Sequence, residues 1–129
     1  MKQQINFSTY FNEWLYGTDG YYTKYNAIGK EGDFYTSVST SSFFGGAIGK
    51  RIVDTINSGF LPKDCTIVEI GAHHGYLLAD IIQFIYTLNP SLLDTLNFAI
   101  VERHEHLKQN QGKYFKDSFG DSIKLTHYN

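Results

Sequence analysis

Thr66-Ile67-Val68-Glu69-Ile70-Gly71-Ala72-His73-His74-Gly75 is the stretch whose reading decides the fold. Its first five residues are mostly β-branched and apolar and read as a strand; the glycines at 71 and 75 then read as a tight turn into a helix. Asn97-Phe98-Ala99-Ile100-Val101-Glu102 is a second apolar run, and it ends on a carboxylate. Doubly wound α/β proteins hold the adenosine half of a cofactor with this order of strand, glycine turn, helix and acid-tipped strand.

Working outward, Leu77, Leu78, Ile81, Ile82 and Ile85 mark the buried face of a helix from about Gly75 to Leu88, which Asn89-Pro90 ends. A helix near His104–Phe115 and a short run at Ile123–Thr126 follow the second strand. The pattern from Thr66 onward is βαβαβ with parallel strands, an α/β fold. Upstream, Phe44, Ile48, Ile52 and Ile56 step by four and predict an amphipathic helix that ends at Gly59, with Pro62 beyond. Gly45, Gly46 and Gly49 lower its propensity, so their expected use is close approach of a neighbouring element. Phe7, Tyr10, Phe11, Trp14 and Leu15 predict a first helix, capped by Asn6 and stopped by Gly17. Between Gly17 and Ser42 the periodicity fails, and glycines alternate with Tyr21, Tyr22, Tyr25, Phe34 and Tyr35. A loop this long and this aromatic is read as functional. The expected division is 1–62, N-terminal helices with a substrate-side aromatic and glycine-rich loop, and 63–129, the first part of a Rossmann-like domain.

The chain has 129 residues, enough for one domain with a core, and is 42% hydrophobic and 16% aromatic, which excludes a disordered chain. A net charge of −2 gives no general attraction for nucleic acid or anionic lipid. Cys65 is the single cysteine, so no intrachain disulfide forms. The longest apolar stretch, Tyr76 to Leu88, is interrupted by Asp80 and Gln83 and is short of a membrane span, and the first residues lack the apolar core of a secretory signal. The expectation is a cytoplasmic protein with neither nucleic acid nor membrane as partner. Three parallel strands are few for a sheet that must be covered on both faces. Two solutions are expected: the chain is the first part of a longer protein, or it forms a homo-oligomer through the exposed sheet edge.

The spacing at the turn narrows the cofactor. Counted from Gly71, a dinucleotide turn would need glycine where His73 and Tyr76 stand, so that pattern fails twice and disfavours a nucleotide-binding oxidoreductase. The ending that a phosphate-binding loop requires is absent. The methyltransferase pattern E/D-x-G-x-G-x-G is met at Glu69, Gly71 and Gly75 and fails once, at His73. The expected cofactor is therefore S-adenosyl-L-methionine, with the backbone of Gly71, Ala72, His73 and Gly75 near its amino-acid end and Glu102 accepting the ribose hydroxyls. The competing use of Gly71 and Gly75 is merely a tight strand–helix turn, and Glu102 alone would pass for a solvated carboxylate.

Four blocks resemble the MidA-like class I methyltransferases, a family that includes a mitochondrial complex I assembly factor and bacterial relatives. They are Leu15-Tyr16-Gly17 with Gly20-Tyr21-Tyr22; Gly32-Asp33-Phe34-Tyr35-Thr36-Ser37 with Phe44-Gly45; Val68-Glu69-Ile70-Gly71-Ala72 through Gly75 with Leu77 and Asp80-Ile81-Ile82; and Val101-Glu102 with Leu107 and Gln111. Val38 stands where that family usually has proline, and His73 replaces the motif glycine. The resemblance covers the N-terminal part of a typical member. It implies a seven-stranded Rossmann-like fold, S-adenosyl-L-methionine as donor and a protein acceptor, an arginine side chain in the mitochondrial relatives. Asp33 is the candidate for orienting an acceptor amine or guanidinium, against a plain turn residue after Gly32. Phe34 and Tyr35 are candidates to wall the sulfonium, against core packing. Phe34 and Thr36 are counted with the cofactor side, although Thr36 and Ser37 also suit a helix cap. The alternative function is a non-catalytic assembly module that keeps the fold. His73-His74 and His104-Glu105-His106 do not read as metal sites, because adjacent residues, or residues two apart on a helix, share no face.

Overall fold

The computed structural model of the chain describes residues 6–18 and 42–129. The chain divides into two units, Met1–Ser39 and Thr40–Asn129. The described helix of the first is α1, Phe7–Tyr16. The Asn6 side chain accepts the Thr9 N–H at 2.8 Å, and the Gly17 N–H donates to the Glu13 carbonyl. Cap and stop are those expected from the sequence.

The second unit runs α2 (Phe43–Asn57), β1 (Thr66–Ile70), α3 (Tyr76–Leu88), a 3₁₀ turn (Pro90–Asp94), β2 (Asn97–Val101), α4 (Glu105–Phe119) and β3 (Leu125–Tyr128). The strands are parallel, in the order β1-β2-β3. Both crossovers step the same way across the sheet, and right-handed connections then put α3 and α4 on one face. The ladder register agrees. Ile67, Phe98 and Leu125 form one inward row, and Glu69, Ile100 and His127 form the next. Phe98 and Ile100 join Leu78, Ile82, Ile85 and Phe115 in the core. On the opposite face Val68, Ile70 and Tyr128 are exposed.

Two boundaries and one helix face differ from expectation. The third strand is Leu125–Tyr128 rather than Ile123–Thr126, because its pairing starts at Phe98↔Leu125 and continues to Val101↔Tyr128. Helix α4 runs on past Phe115 to Phe119, whose ring contacts Phe115, and ends at Gly120 with φ +60°. In α2 the buried residues are Gly45, Gly46, Gly49, Val53 and Ile56, while Phe44 is exposed and Ile48 and Ile52 only half-buried. Of the predicted stripe, Ile56 is buried and Ile48 and Ile52 pack at the border of the core. The glycines make the close approach expected of them, and the neighbour they admit is α3. A Cβ on Gly45 would stand 2.5 Å from the Asp80 Cβ, and one on Gly49 would be 3.2 Å from the Ile81 carbonyl oxygen.

Two glycine-to-alanine changes separate close approach from helix propensity. Gly45→Ala must push α2 off α3 and is expected to lower stability by about 1–2 kcal/mol despite alanine's better propensity. Gly112→Ala, in α4 with nothing within 4 Å of the new Cβ, is expected to raise it by up to about 1 kcal/mol. Urea denaturation of both variants checks the pair of signs.

Candidate active site

The site forms at the carboxyl ends of β1 and β2, where ligands bind in open parallel sheets. Three residues of the β1–α3 turn have positive φ: Gly71 at +67°, His73 at +51° and Gly75 at +84°. His73 thus takes the left-handed backbone that the motif glycine would take, a conformation more accessible to histidine than to most residues. Its ring packs edge-on against His74, whose ring stacks on Tyr76. A Cβ placed on Gly71 would have no atom within 4 Å, so this backbone is open to approach. A Cβ on Gly75 would stand 3.0 Å from the Phe115 ring.

Glu69 lies under the turn. Its carboxylate accepts the Leu78 N–H at 3.2 Å, satisfying one of the donors that the first turn of α3 leaves over. Burial pushes its carboxyl up from an ordinary value of 4.5 to about 7, outweighing the Leu78 bond, which acts the other way. Glu102 follows β2 and is buried; its N–H donates to the Tyr128 carbonyl at 2.9 Å. One carboxylate oxygen accepts the His104 N–H at 3.0 Å, the other the Gln111 amide at 3.4 Å.

Gln111 joins these parts. It is fully buried on α4, and the same amide nitrogen donates to the His73 carbonyl at 2.7 Å. The turn after β1 and the acid after β2 are therefore tied together through one side chain. The side-chain oxygen of Gln111 faces Nε2 of His127, on β3, at 3.0 Å. Sequence reasoning placed Gln111 only within a motif block and missed His127. The signal for Gln111 was its place in the four-residue step Leu107, Gln111, Phe115, Phe119, a polar residue in an otherwise apolar stripe. Nothing in the sequence near His127 marks it except alternation with Leu125. Of the other candidates, Asp33, Phe34, Tyr35, Thr36 and Ser37 lie outside the described residues. No group of three or more residues able to hold a metal ion occurs among the described residues.

The family model "Putative S-adenosyl-L-methionine-dependent methyltransferase" matches residues 47–128, and the chain belongs to this family. Its similarity to curated proteins is more distant. It is 27% identical over 112 residues to the mitochondrial protein arginine methyltransferase NDUFAF7 homolog of Drosophila melanogaster, covering 84% of this chain and 25% of that protein. It is 32% identical over 94 residues to mitochondrial NDUFAF7 of Rattus norvegicus, covering 71% of this chain and 21% of that protein. Among solved structures, a Burkholderia thailandensis protein crystallised with S-adenosyl-homocysteine superposes with a TM-score of 0.70 at 22% identity, over 94% of this chain and 32% of that one. The expected Rossmann-like α/β fold is thus the fold found. The chain spans a quarter or less of the length of these curated relatives. The cytoplasmic expectation is corrected here: it was a default drawn from composition, and the curated relatives are mitochondrial by name. Among the described residues, no helix is long and apolar enough to cross a membrane.

The site carries two stability predictions. Unfolded, Glu69 ionises near pH 4.5; folded, near pH 7. Between these values the native state keeps a proton that the unfolded chain has lost, so this group's contribution to stability falls as pH rises through that window. Glu69→Gln removes the dependence. Its unfolding free energy from urea denaturation should gain on the parent's between pH 4.5 and 8, by about 1–2 kcal/mol after allowance for partial exposure. Gly75→Ala meets both a left-handed backbone and the Phe115 ring, and a loss of about 1–3 kcal/mol is expected in thermal or urea unfolding.

Proposed function

We propose that this chain carries the donor-binding part of an S-adenosyl-L-methionine-dependent protein methyltransferase, with an arginine side chain as acceptor. The observation that carries the reading is the Gln111 bridge, which holds the His73 carbonyl and the Glu102 carboxylate in one place. The family match supports the donor, and the printed names of the curated relatives support the acceptor.

The residues present fit the donor. The backbone at Gly71 is open, and His73 keeps the turn a glycine would make, so backbone groups from Gly71 through Ala72 and His73 to Gly75 can hold an amino-acid end. Each Glu102 oxygen has one protein N–H donor, and a carboxylate has about four acceptor sites, which leaves room for both ribose hydroxyls. Glu69 braces the start of α3 behind the turn. When bound, S-adenosylmethionine supplies a methyl group on a sulfonium, and positioning of the acceptor accounts for most of the rate. On the acceptor side, residues 1–62 are assigned the substrate-facing role. The family resemblance makes Asp33 the candidate to orient the guanidinium and Phe34 and Thr36 candidates for the cofactor side; all three lie outside the described residues.

Calorimetry with S-adenosylmethionine, S-adenosylhomocysteine and a nicotinamide dinucleotide tests the reading. The first two should bind and the third should not, and Glu102→Ala should weaken binding by about tenfold or more, the loss of a charge-assisted hydrogen-bond pair. The side chain at His73 favours the second reading, a non-catalytic module that keeps the fold. Silence toward both sulfur nucleosides, persisting in His73→Gly, would decide for it.

A further inference from the structure

We propose that Gln111 is the positioning residue of the donor site, locking the His73 carbonyl to the Glu102 carboxylate, and that His127 fixes which way its amide faces. This rests on reading the turn and Glu102 as the donor site. The His73 carbonyl and the Glu102 carboxylate are both acceptors, at 2.7 Å and 3.4 Å, so the NH₂ of Gln111 must face them. The flipped amide would set its oxygen against two others inside a buried site. The Gln111 oxygen is thereby aimed at His127, and at 3.0 Å it needs a donor from Nε2.

One tautomer of His127 satisfies this, the one protonated at Nε2. Burial, and after it the charge of Lys108, lowers the pKa of the ring against the opposing pull of Glu102 and Glu105, so the ring is neutral with its one proton at that nitrogen. The consequence reaches the turn. The peptide after His73 is trans, so a carbonyl held toward Gln111 leaves the His74 N–H facing the opposite way. The Gln111 side chain thus sets the orientation of a turn peptide and of the ribose-side acid together. Three elements meet in it: the β1–α3 turn, α4 and β3.

The test combines a spectroscopic signature with binding. In the 129-residue chain, long-range ¹H–¹⁵N correlation of the His127 ring should show the proton on Nε2, and S-adenosylhomocysteine affinity is read by calorimetry. Gln111→Met keeps the volume and removes the amide; it should lose the fixed tautomer and weaken binding on the order of tenfold, the scale of one lost hydrogen bond. Should Gln111→Met fail to fold, the His127 pair decides. His127→Leu should weaken binding several-fold, and His127→Gln, whose amide can donate at the same place, should recover most of it. A proton found on Nδ1 of His127 overturns the proposal, and so does parental affinity in folded Gln111→Met or in His127→Leu. A parent chain that shows the Nε2 proton but binds no sulfur nucleoside overturns the donor-site reading, a result distinct from either.

Discussion

Five residues separate the end of β1 from the start of α3, and the chain reverses within them by placing Gly71, His73 and Gly75 in left-handed backbone. That constraint propagates in two directions. Forward, it lets α3 start against α4, where only a missing Cβ at Gly75 leaves room for the Phe115 ring. Sideways, it turns the His73 carbonyl into the molecule, where Gln111 receives it. A turn of another shape would leave a fully buried amide without its nearest acceptor, a cost comparable to that of any lost buried hydrogen bond. Histidine at the middle position keeps the shape at some expense in backbone strain, on the order of 1–2 kcal/mol for an L-residue.

Small residues do the comparable work on the other side of α3. The glycine face of α2 lies against Asp80, Ile81 and Phe84, so two helices approach at a distance that larger side chains would forbid. Helix α3 is held between this contact and the sheet, with Leu78, Ile82 and Ile85 fully buried. Its N-terminus has no side-chain cap from its own segment, and the acceptor comes instead from Glu69 on the preceding strand. Burial makes the carboxyl resist ionisation, so its place under the turn costs stability as pH rises, and the bond from Leu78 offsets part of that cost while fixing the helix start.

The strands β1 and β2, helix α3 and the caps of α1 were legible because each rests on local rules: β-branched runs, a four-residue apolar step, Asn before a helix and Gly after one. The turn was legible for the same reason, since glycine spacing records backbone conformation directly. The inward face of α2 was legible in part: the apolar step found Ile56, with Ile48 and Ile52 at the border of the core, and the glycines marked a close approach, but Phe44 is exposed. A missing side chain records that a neighbour comes close without naming it, so α3 as that neighbour could not be read. Gln111 and His127 escaped for a different reason. Their partners stand 38 and 16 positions away, and a hydrogen bond across such a separation has no local signature.

The polar floor of the site occupies a single row of the sheet. Glu69, Ile100 and His127 are register partners, and they point to the face that α3 and α4 cover. One row deeper, at Ile67, Phe98 and Leu125, all three side chains are apolar and join or border the core. The change from apolar to polar within one step along the strands marks where packing ends and ligand-facing chemistry begins. Ile100, fully buried between two polar neighbours, anchors that row to the core, so Glu69 and His127 flank a residue of the core itself. Their partners, the Leu78 N–H and the Gln111 amide, come from the two covering helices. The geometry of the site is therefore inherited from the helix-on-sheet packing beneath it: a change that loosens α3 reaches Glu69 through the first of these bonds, and one that loosens α4 reaches the His73 carbonyl and Glu102 through the Gln111 amide.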